Sequence, residues 1–314
     1  MAPILIRRLL YALAVMLAVA SLVFLVFQLA GDPLAGLVPP GSSPEQEAAL
    51  RRRLGLDRPL AVQYADFVLG AARGDFGESW AQRRPALEVV LERLPATLRL
   101  GGAAIGLALV VGLGLGIAAG VRPGGTLDLA TTGLALAGQA LPGFWLGTML
   151  ILLFAVRLKW LPSSGADGPQ SLILPALTLA AYPAALIARL VRASLIETLR
   201  REYVRTARGK GLTSWQVVRR HALRNAALPT LGFVGVQIGF LLGGAVVVEA
   251  VFAYPGAGRL ALQAVADRDL PVVQAFVVVL AGLIVLLNAA VDLLARWLDP
   301  RIRLGGAATQ AART

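Results

Sequence analysis

Leu129-ATTGLALAGQALPGFWLGTMLILLFA-Val156 runs for 28 residues without a charge. An α-helix rises about 1.5 Å per residue, and about 20 apolar residues cross a hydrocarbon core about 30 Å thick. The stretch is therefore long enough to span a bilayer. Pro142 lies at its centre, where the missing N–H and the ring against the preceding turn kink or break a helix. Five more stretches share the property: Leu9–Gly31, Leu100–Val121, Gly168–Ala188, Asn225–Val248 and Leu270–Val291, of 23, 22, 21, 24 and 22 residues. The gap between Asp32 and Glu45 is shorter and carries Pro33, Pro39 and Pro40. One such stretch suits a buried soluble helix. Six together predict an all-α polytopic membrane protein with six transmembrane helices.

Composition agrees. Of 314 residues, 57% are hydrophobic and 15% charged, against about 25% charged in ordinary globular chains. Arg7-Arg8 before an apolar run resembles a secretory signal, but 23 residues exceed the usual run of about 7–15, which favours a retained helix. The net charge of +12 would suit nucleic acid or an anionic surface; its distribution decides. With both termini on one side, that side holds 17 Lys/Arg and five acids, and the other holds 13 of each. The short loops of the second side carry only Arg157, Lys159, Arg259 and Arg268. Because basic residues mark cytoplasmic loops, both termini are expected in the cytoplasm. The excess is then an orientation signal, and no nucleic-acid partner is implied.

Several chemistries are excluded. No cysteine is present and His221 is the one histidine, so disulfides, His/Cys metal sites and a Ser-His-Asp triad are not expected. A P-loop needs a lysine followed by Ser or Thr, and neither Lys159 nor Lys210 has that frame. Spans free of charge also lack the buried ionisable groups of ion-coupled carriers. Glu249, at a span end, suits a structural partner near the outer interface; its sharper reading is a substrate or gate contact. Gln139, Gln237 and Asn288 sit inside spans, where they line a pathway or hydrogen-bond between helices. Gly112, Gly116 and Gly120, and again Gly235, Gly239 and Gly243, form flat stripes that allow close helix approach, within the chain or between subunits. Pro175 and Pro183 sit likewise in the fourth span, where a proline kinks or breaks a helix.

Two connections are long. The outer one, about 32–99, reads as short helices: Ser43-Pro-Glu-Gln46 has the cap, first-position proline and capping-box glutamine, and Gly55 suits the stop. The inner one, about 189–224, carries ten Lys/Arg. Glu197/Arg201 and Glu202/Arg205 have helical spacing, so the fourth span is expected to continue as a charged helix that Gly209 and Gly211 stop. Thr213-Ser-Trp215-Gln216 then starts a new short helix. A doubly capped turn is more than a loop resting on lipid needs, and it predicts docking to a cytoplasmic partner.

The chain also resembles the permease subunits of ABC importers for peptides, opines and nickel. The resemblance rests on Gly31-Asp-Pro33, Leu54-Gly-Leu-Asp-Arg-Pro59, Gly74-Asp-Phe-Gly77, Leu94-Pro-Ala-Thr97, Pro142-Gly-Phe-Trp-Leu146 and Trp160-Leu-Pro162. It continues through Tyr203-Val-Arg-Thr-Ala-Arg-Gly-Lys-Gly-Leu212, His221-Ala-Leu-Arg-Asn225, Pro255-Gly-Ala-Gly258, Arg268-Asp-Leu-Pro271 and Asp299-Pro-Arg-Ile-Arg303. It implies a type I ABC importer permease fold: an N-terminal transmembrane helix (1–31), a helical periplasmic or extracellular insertion (32–99), a transmembrane core (100–298) containing the coupling loop 189–224, and a cytoplasmic tail (299–314). It places the coupling device on Arg205, Thr206, Ala207, Gly209, Gly211, Leu212, Thr213, Trp215 and Gln216. Gly209 stands where the family pattern has alanine. The implied partners are a second homologous permease, two ABC ATPases that bind ATP and Mg, an extracytoplasmic substrate-binding protein and the lipid bilayer of a bacterial inner membrane. This chain would bind no cofactor, catalyse nothing and form half of a path that works by alternating access. Peptides are the first substrate expectation and chelated nickel the second. A secondary carrier is the alternative of another class.

Overall fold

The computed structural model describes residues 2–29, 43–211, 213, 216, 218 and 223–298. All regular elements among them are helical. Two compact units emerge, Met1–Leu98 with Ala253–Val285 and Arg99–Phe252 with Leu286–Thr314.

In the first unit, α1 (Ala2–Leu29) packs on α3 (Leu60–Arg73). Ser21 Oγ and Tyr64 Oη share a 2.6 Å hydrogen bond, Gln28 Nε2 donates to Gln63 Oε1 at 3.3 Å, and Phe24 meets the Tyr64 ring edge-on. The capping box of α2 (Pro44–Arg53) forms as its sequence requires. Gln46 N–H donates to Ser43 Oγ, Ser43 N–H donates to Gln46 Oε1, and Gly55 takes a left-handed φ of +68° after the helix. The turn after α3 is closed by Gly74 at φ +78°. Helix α4 (Ala86–Val121) begins well before the charge-free stretch at Leu100 and contains Pro95. Charge spacing marks only the part of a helix that meets hydrocarbon, and α4 carries Glu88, Glu92, Arg93 and Arg99 ahead of it. Helix α10 (Ala257–Ala266) and most of α11 (Leu270–Leu298) complete the unit.

One carboxylate organises the insertion. Asp269, 2% exposed, accepts from Ser79 Oγ and from the N–H groups of Trp80 (3.1 Å) and Ala81 (3.2 Å). Ser79 Oγ in turn accepts from Gln82 N–H at 2.9 Å. A hydrogen bond to a charged acceptor contributes about 1.5–3 kcal/mol, so three on one buried carboxylate pin the 79–82 loop. Thr97 Oγ1 similarly accepts from Ala257 N–H at 2.8 Å.

In the second unit, α7 (Ile173–Leu199) is the hub; 67% of its most apolar window is buried, against 11% for α1. Gly112, Gly116 and Gly120 of α4 lie on it. A β-carbon at Gly112 would stand 2.7 Å from Ile187 Cβ, and one at Gly116 would stand 2.7 Å from the Ala188 carbonyl oxygen. The first glycine stripe is thus an intrachain contact. The second differs along its length: a β-carbon at Gly235 would meet Val291 at 3.0 Å, while Gly243 faces open space. Helices α5 (Thr126–Ala140) and α6 (Gly143–Leu150) meet at Pro142, and the pair running Thr126–Ala140 and Gly143–Arg157 bends by 108°. The chain leaves α6 through a π-helical segment, Ile151–Arg157. Neither proline of the fourth span breaks it. Pro175 falls in the first turn of α7, where no intrahelical donor is lost, and α7 runs on through Pro183. Membrane helices tolerate an internal proline when neighbours meet the freed carbonyl.

Among the described residues, four helices are long and apolar enough to cross a membrane, five when the bent pair counts as one span. Helix α9 (Leu223–Val251) has 29 residues, with an apolar segment at Gln237–Val251.

Candidate functional site

Two regions carry the residues singled out by sequence: the connection after α7 and the helix faces around the broken span.

The fourth span continues as a charged helix through Arg189, Arg192 and Glu197, but only to Leu199; the part with Glu202 is separate. Helix α7 ends at Leu199, and tight turns follow, with Arg200 N–H on the Glu197 carbonyl and Arg201 N–H on the Thr198 carbonyl, each 3.2 Å. Helix α8 (Glu202–Gly209) then starts afresh. Arg201 still pairs with Glu197 at 2.7 Å, on the surface, where such a pair contributes little. Thr206 Oγ1 donates to the Glu202 carbonyl, and Lys210 N–H donates to the Thr206 carbonyl at 3.1 Å. Gly209 is the last residue of α8, and among the described residues nothing lies within 4 Å of where its β-carbon would stand. Gly211 makes the reversal at φ +83°, a region L-residues avoid. The second capping box closes next: Thr213 N–H donates to Gln216 Oε1 at 2.9 Å, and Gln216 N–H donates to Thr213 Oγ1 at 3.4 Å. Leu212 and Trp215 lie outside the described residues, as do the side chains of Arg205 and Ala207, whose backbones belong to α8. Val204 and Val218 are buried, while Glu202, Tyr203, Lys210 and Gln216 face outward.

A link missed by sequence reasoning stands just before this connection. Asp128, 3% exposed in the first turn of α5, accepts from Arg192 Nε, from Arg192 Nη2 at 2.8 Å and from Gly124 N–H at 2.9 Å. Arg192 lies on α7 eight residues before the break at Arg200. A bidentate guanidinium–carboxylate pair is rigid as well as strong, so the start of α5 is fixed to the stem of the connection. The available signal was the acid in the first turn of an apolar helix; its partner, 64 residues away, has no signature in the chain.

The intramembrane candidates separate. A cavity of about 370 Å³ is walled by α6, α7 and α9, with Gly143, Phe144, Tyr182, Gln237 and Phe240 among its lining. Gln237 is 4% exposed, and its amide nitrogen finds no acceptor among the described residues. Gln139 is half-buried and donates to the Ala135 carbonyl of its own helix at 3.1 Å. Asn288 is half-buried on α11, its Oδ1 4.0 Å from where a Gly235 β-carbon would stand. Glu249 is fully buried on α9. Only Gln237 of the four lines the cavity.

In the second unit α5, α6 and α9 pack on α7, the α5–α6 pair is broken at Pro142, and a charged, doubly turned connection follows α7. Residues 112–304 match the profile of the binding-protein-dependent transport system inner membrane component family, and residues 1–101 match that of its N-terminal part. The chain belongs to this family. It is 43% identical over 298 residues to the glutathione transport system permease protein GsiC of Salmonella choleraesuis (strain SC-B67), covering 95% of this chain and 97% of that one. GsiC of Escherichia coli (strain K12) is 42% identical over 299 residues, covering 95% and 98%. Two crystal forms of the inward-facing MetNI methionine ABC transporter share the fold, with TM-scores of 0.54 and 0.58. At 22% identity, each match covers 67% of this chain and 96% of that one. Like other members of the family, the chain is a non-catalytic, multi-pass permease subunit of an ABC importer. It works with ATPase and substrate-binding partners in the membrane.

Proposed function

We propose that this chain forms half of the translocation pathway of an importer for di- and oligopeptides, with alternating access driven by ATP on partner subunits. The observation that carries the peptide reading is the match to permeases named for glutathione, itself a peptide, along nearly the full chain. In this reading α1, α4, the α5–α6 pair, α7, α9 and α11 are the six spans, and both termini lie in the cytoplasm, where the basic excess falls. A second homologous permease supplies the other half of the path. Two ATPases hold ATP and Mg, so this chain binds no cofactor, and an extracytoplasmic binding protein delivers the substrate.

The connection from α8 through Gln216 is the coupling device. Breaks at Arg200 and Gly211 leave α8 hinged at both ends rather than rigidly continuous with α7, and the capping box gives the next segment a fixed start. A push from the ATPase can thereby tilt this segment, and the Asp128–Arg192 pair carries the displacement of the stem to the start of the broken span.

Reconstitution with the partner permease, ATPases and binding protein tests both parts. Wild-type vesicles should accumulate glutathione only with ATP inside the ATPase compartment. Gly211→Val forces a β-branched residue to φ +83°, at a cost of about 1–2 kcal/mol, and among the described residues meets no neighbour within 4 Å of its β-carbon. It should hydrolyse ATP with little uptake. Undiminished uptake by Gly211→Val would refute the coupling role, uptake without ATP would indicate a secondary carrier, and uptake of a nickel chelate alone would overturn the peptide assignment.

A further inference from the structure

Two independent hydrogen-bond donors meet at the cavity between α6, α7 and α9. One is the amide of Gln237, 4% exposed and without an acceptor among the described residues. Leaving such a donor unmet costs about 1–3 kcal/mol, and no local packing needs it: leucine and phenylalanine side chains surround it on the same wall. The other is the start of α6. Its first residues, Gly143 and Phe144, line the same cavity, no side chain caps that end, and the N–H groups of a first helical turn have no intrahelical acceptor. The 108° bend at Pro142 gives α6 a start of its own at this cavity. In transporters, half-helix N-termini turned toward the midplane carry the partial positive charge that suits an anionic group.

We propose that this cavity is a subsite for the carboxylate of the transported peptide, with the Gln237 amide and the first N–H groups of α6 as its donors. The proposal rests on the peptide reading above and adds which group of the peptide is held and by what. The two groups on the wall without an acceptor, the Gln237 amide nitrogen and the first N–H groups of α6, are both donors. The Thr178 hydroxyl donates to the Leu174 carbonyl at 2.8 Å, and no acid, lysine or arginine lines the cavity. A carboxylate oxygen accepts from several N–H groups at once, whereas a peptide ammonium meets no carboxylate on this wall. Neutral donors also suit passage: a site on a pathway must bind well enough to be entered and weakly enough to be left. About 370 Å³ holds one end of a small peptide beside aromatic rings.

The test measures initial uptake rates in the full reconstituted importer for glutathione and for glutathione with both of its carboxylates, that of glycine and the α-carboxylate of the glutamyl residue, converted to amides. Wild-type, Gln237→Leu and Gln237→Glu permeases are compared with one binding protein throughout. Taking the ratio of the two substrates for each permease, and then comparing permeases, cancels what the binding protein itself prefers. The acid-to-amide ratio should fall about tenfold or more in Gln237→Leu, the loss of one hydrogen bond to a charged group. It should fall further in Gln237→Glu, which sets a like charge against the carboxylate at nearly unchanged side-chain size. Equal loss for acid and amide in both variants would show a packing role and overturn the proposal, as would a Gln237→Glu permease with the wild-type ratio. If the wild-type importer moves neither form, the peptide reading itself fails, a result distinct from either of these.

Discussion

The close approach of α4 to α7 makes a sharp, internally controlled prediction. A β-carbon at Gly116 would stand 2.7 Å from the Ala188 carbonyl oxygen and 2.8 Å from Val191 Cβ; at Gly112 it would stand 2.7 Å from Ile187 Cβ and 2.8 Å from the Ala184 carbonyl oxygen. Ordinary contacts of this kind begin near 3.4 Å. None of these atoms ends a flexible side chain, so the helices must separate or shift along their axes. Overpacking of this kind costs about 1–3 kcal/mol, while alanine for glycine inside a helix otherwise gains about 0.5–1 kcal/mol. Gly116→Ala should therefore destabilise by about 1–2 kcal/mol, and Gly112→Ala by a similar amount. The double variant should fall short of the sum, because one displacement of α7 relieves both contacts. Gly114, on the same helix, is exposed with nothing within 4 Å, so Gly114→Ala should be neutral or stabilising. The midpoint of heat-induced loss of the monodisperse purified complex reads the order directly. A Gly116→Ala protein as heat-resistant as Gly114→Ala would refute the packing argument.

Two further predictions concern polar links. Asp128→Asn and Arg192→Gln should each lower the same midpoint and weaken ATP-driven uptake, and the double variant should lose less than the two together; strictly additive losses would show that the pair does not act as a unit. Asp269→Ala removes the acceptor of three hydrogen bonds to the 79–82 loop, so amide exchange at Trp80 and Ala81 should accelerate at least tenfold. Unchanged protection at those two amides would mean that the carboxylate does not hold the loop.

What was legible in the sequence was what is local. Ser43/Gln46 and Thr213/Gln216 form their capping boxes because both partners lie within one turn. Pro142 breaks its span because a missing N–H acts on the residues beside it. The stripe Gly112–Gly116–Gly120 could be read as a flat face, but the choice between an intrachain and an intersubunit contact needed the position of α7. The departures have like causes. The fourth span stops at Leu199 although Glu197/Arg201 and Glu202/Arg205 have helical spacing, since an exposed i,i+4 pair is worth only a few tenths of a kcal/mol and does not decide where a helix ends. Pro183 is carried inside α7 because tertiary surroundings override its local preference. Asp269 with Ser79 and Asp128 with Arg192 were invisible, being 190 and 64 residues apart. Gln237 stood among four polar candidates in the spans, and only the cavity distinguishes it.

The Asp128–Arg192 distance along the chain also imposes an order on biogenesis. Asp128 leaves the ribosome 64 residues before its partner, which at about 5–20 residues per second is roughly 3 to 13 s. During that interval the Asp128 carboxylate lacks its Arg192 partner, and the glycine face of α4 has nothing to lie on. Emergence of α7 resolves both at once. A nascent permease is thus half-assembled until that one helix arrives.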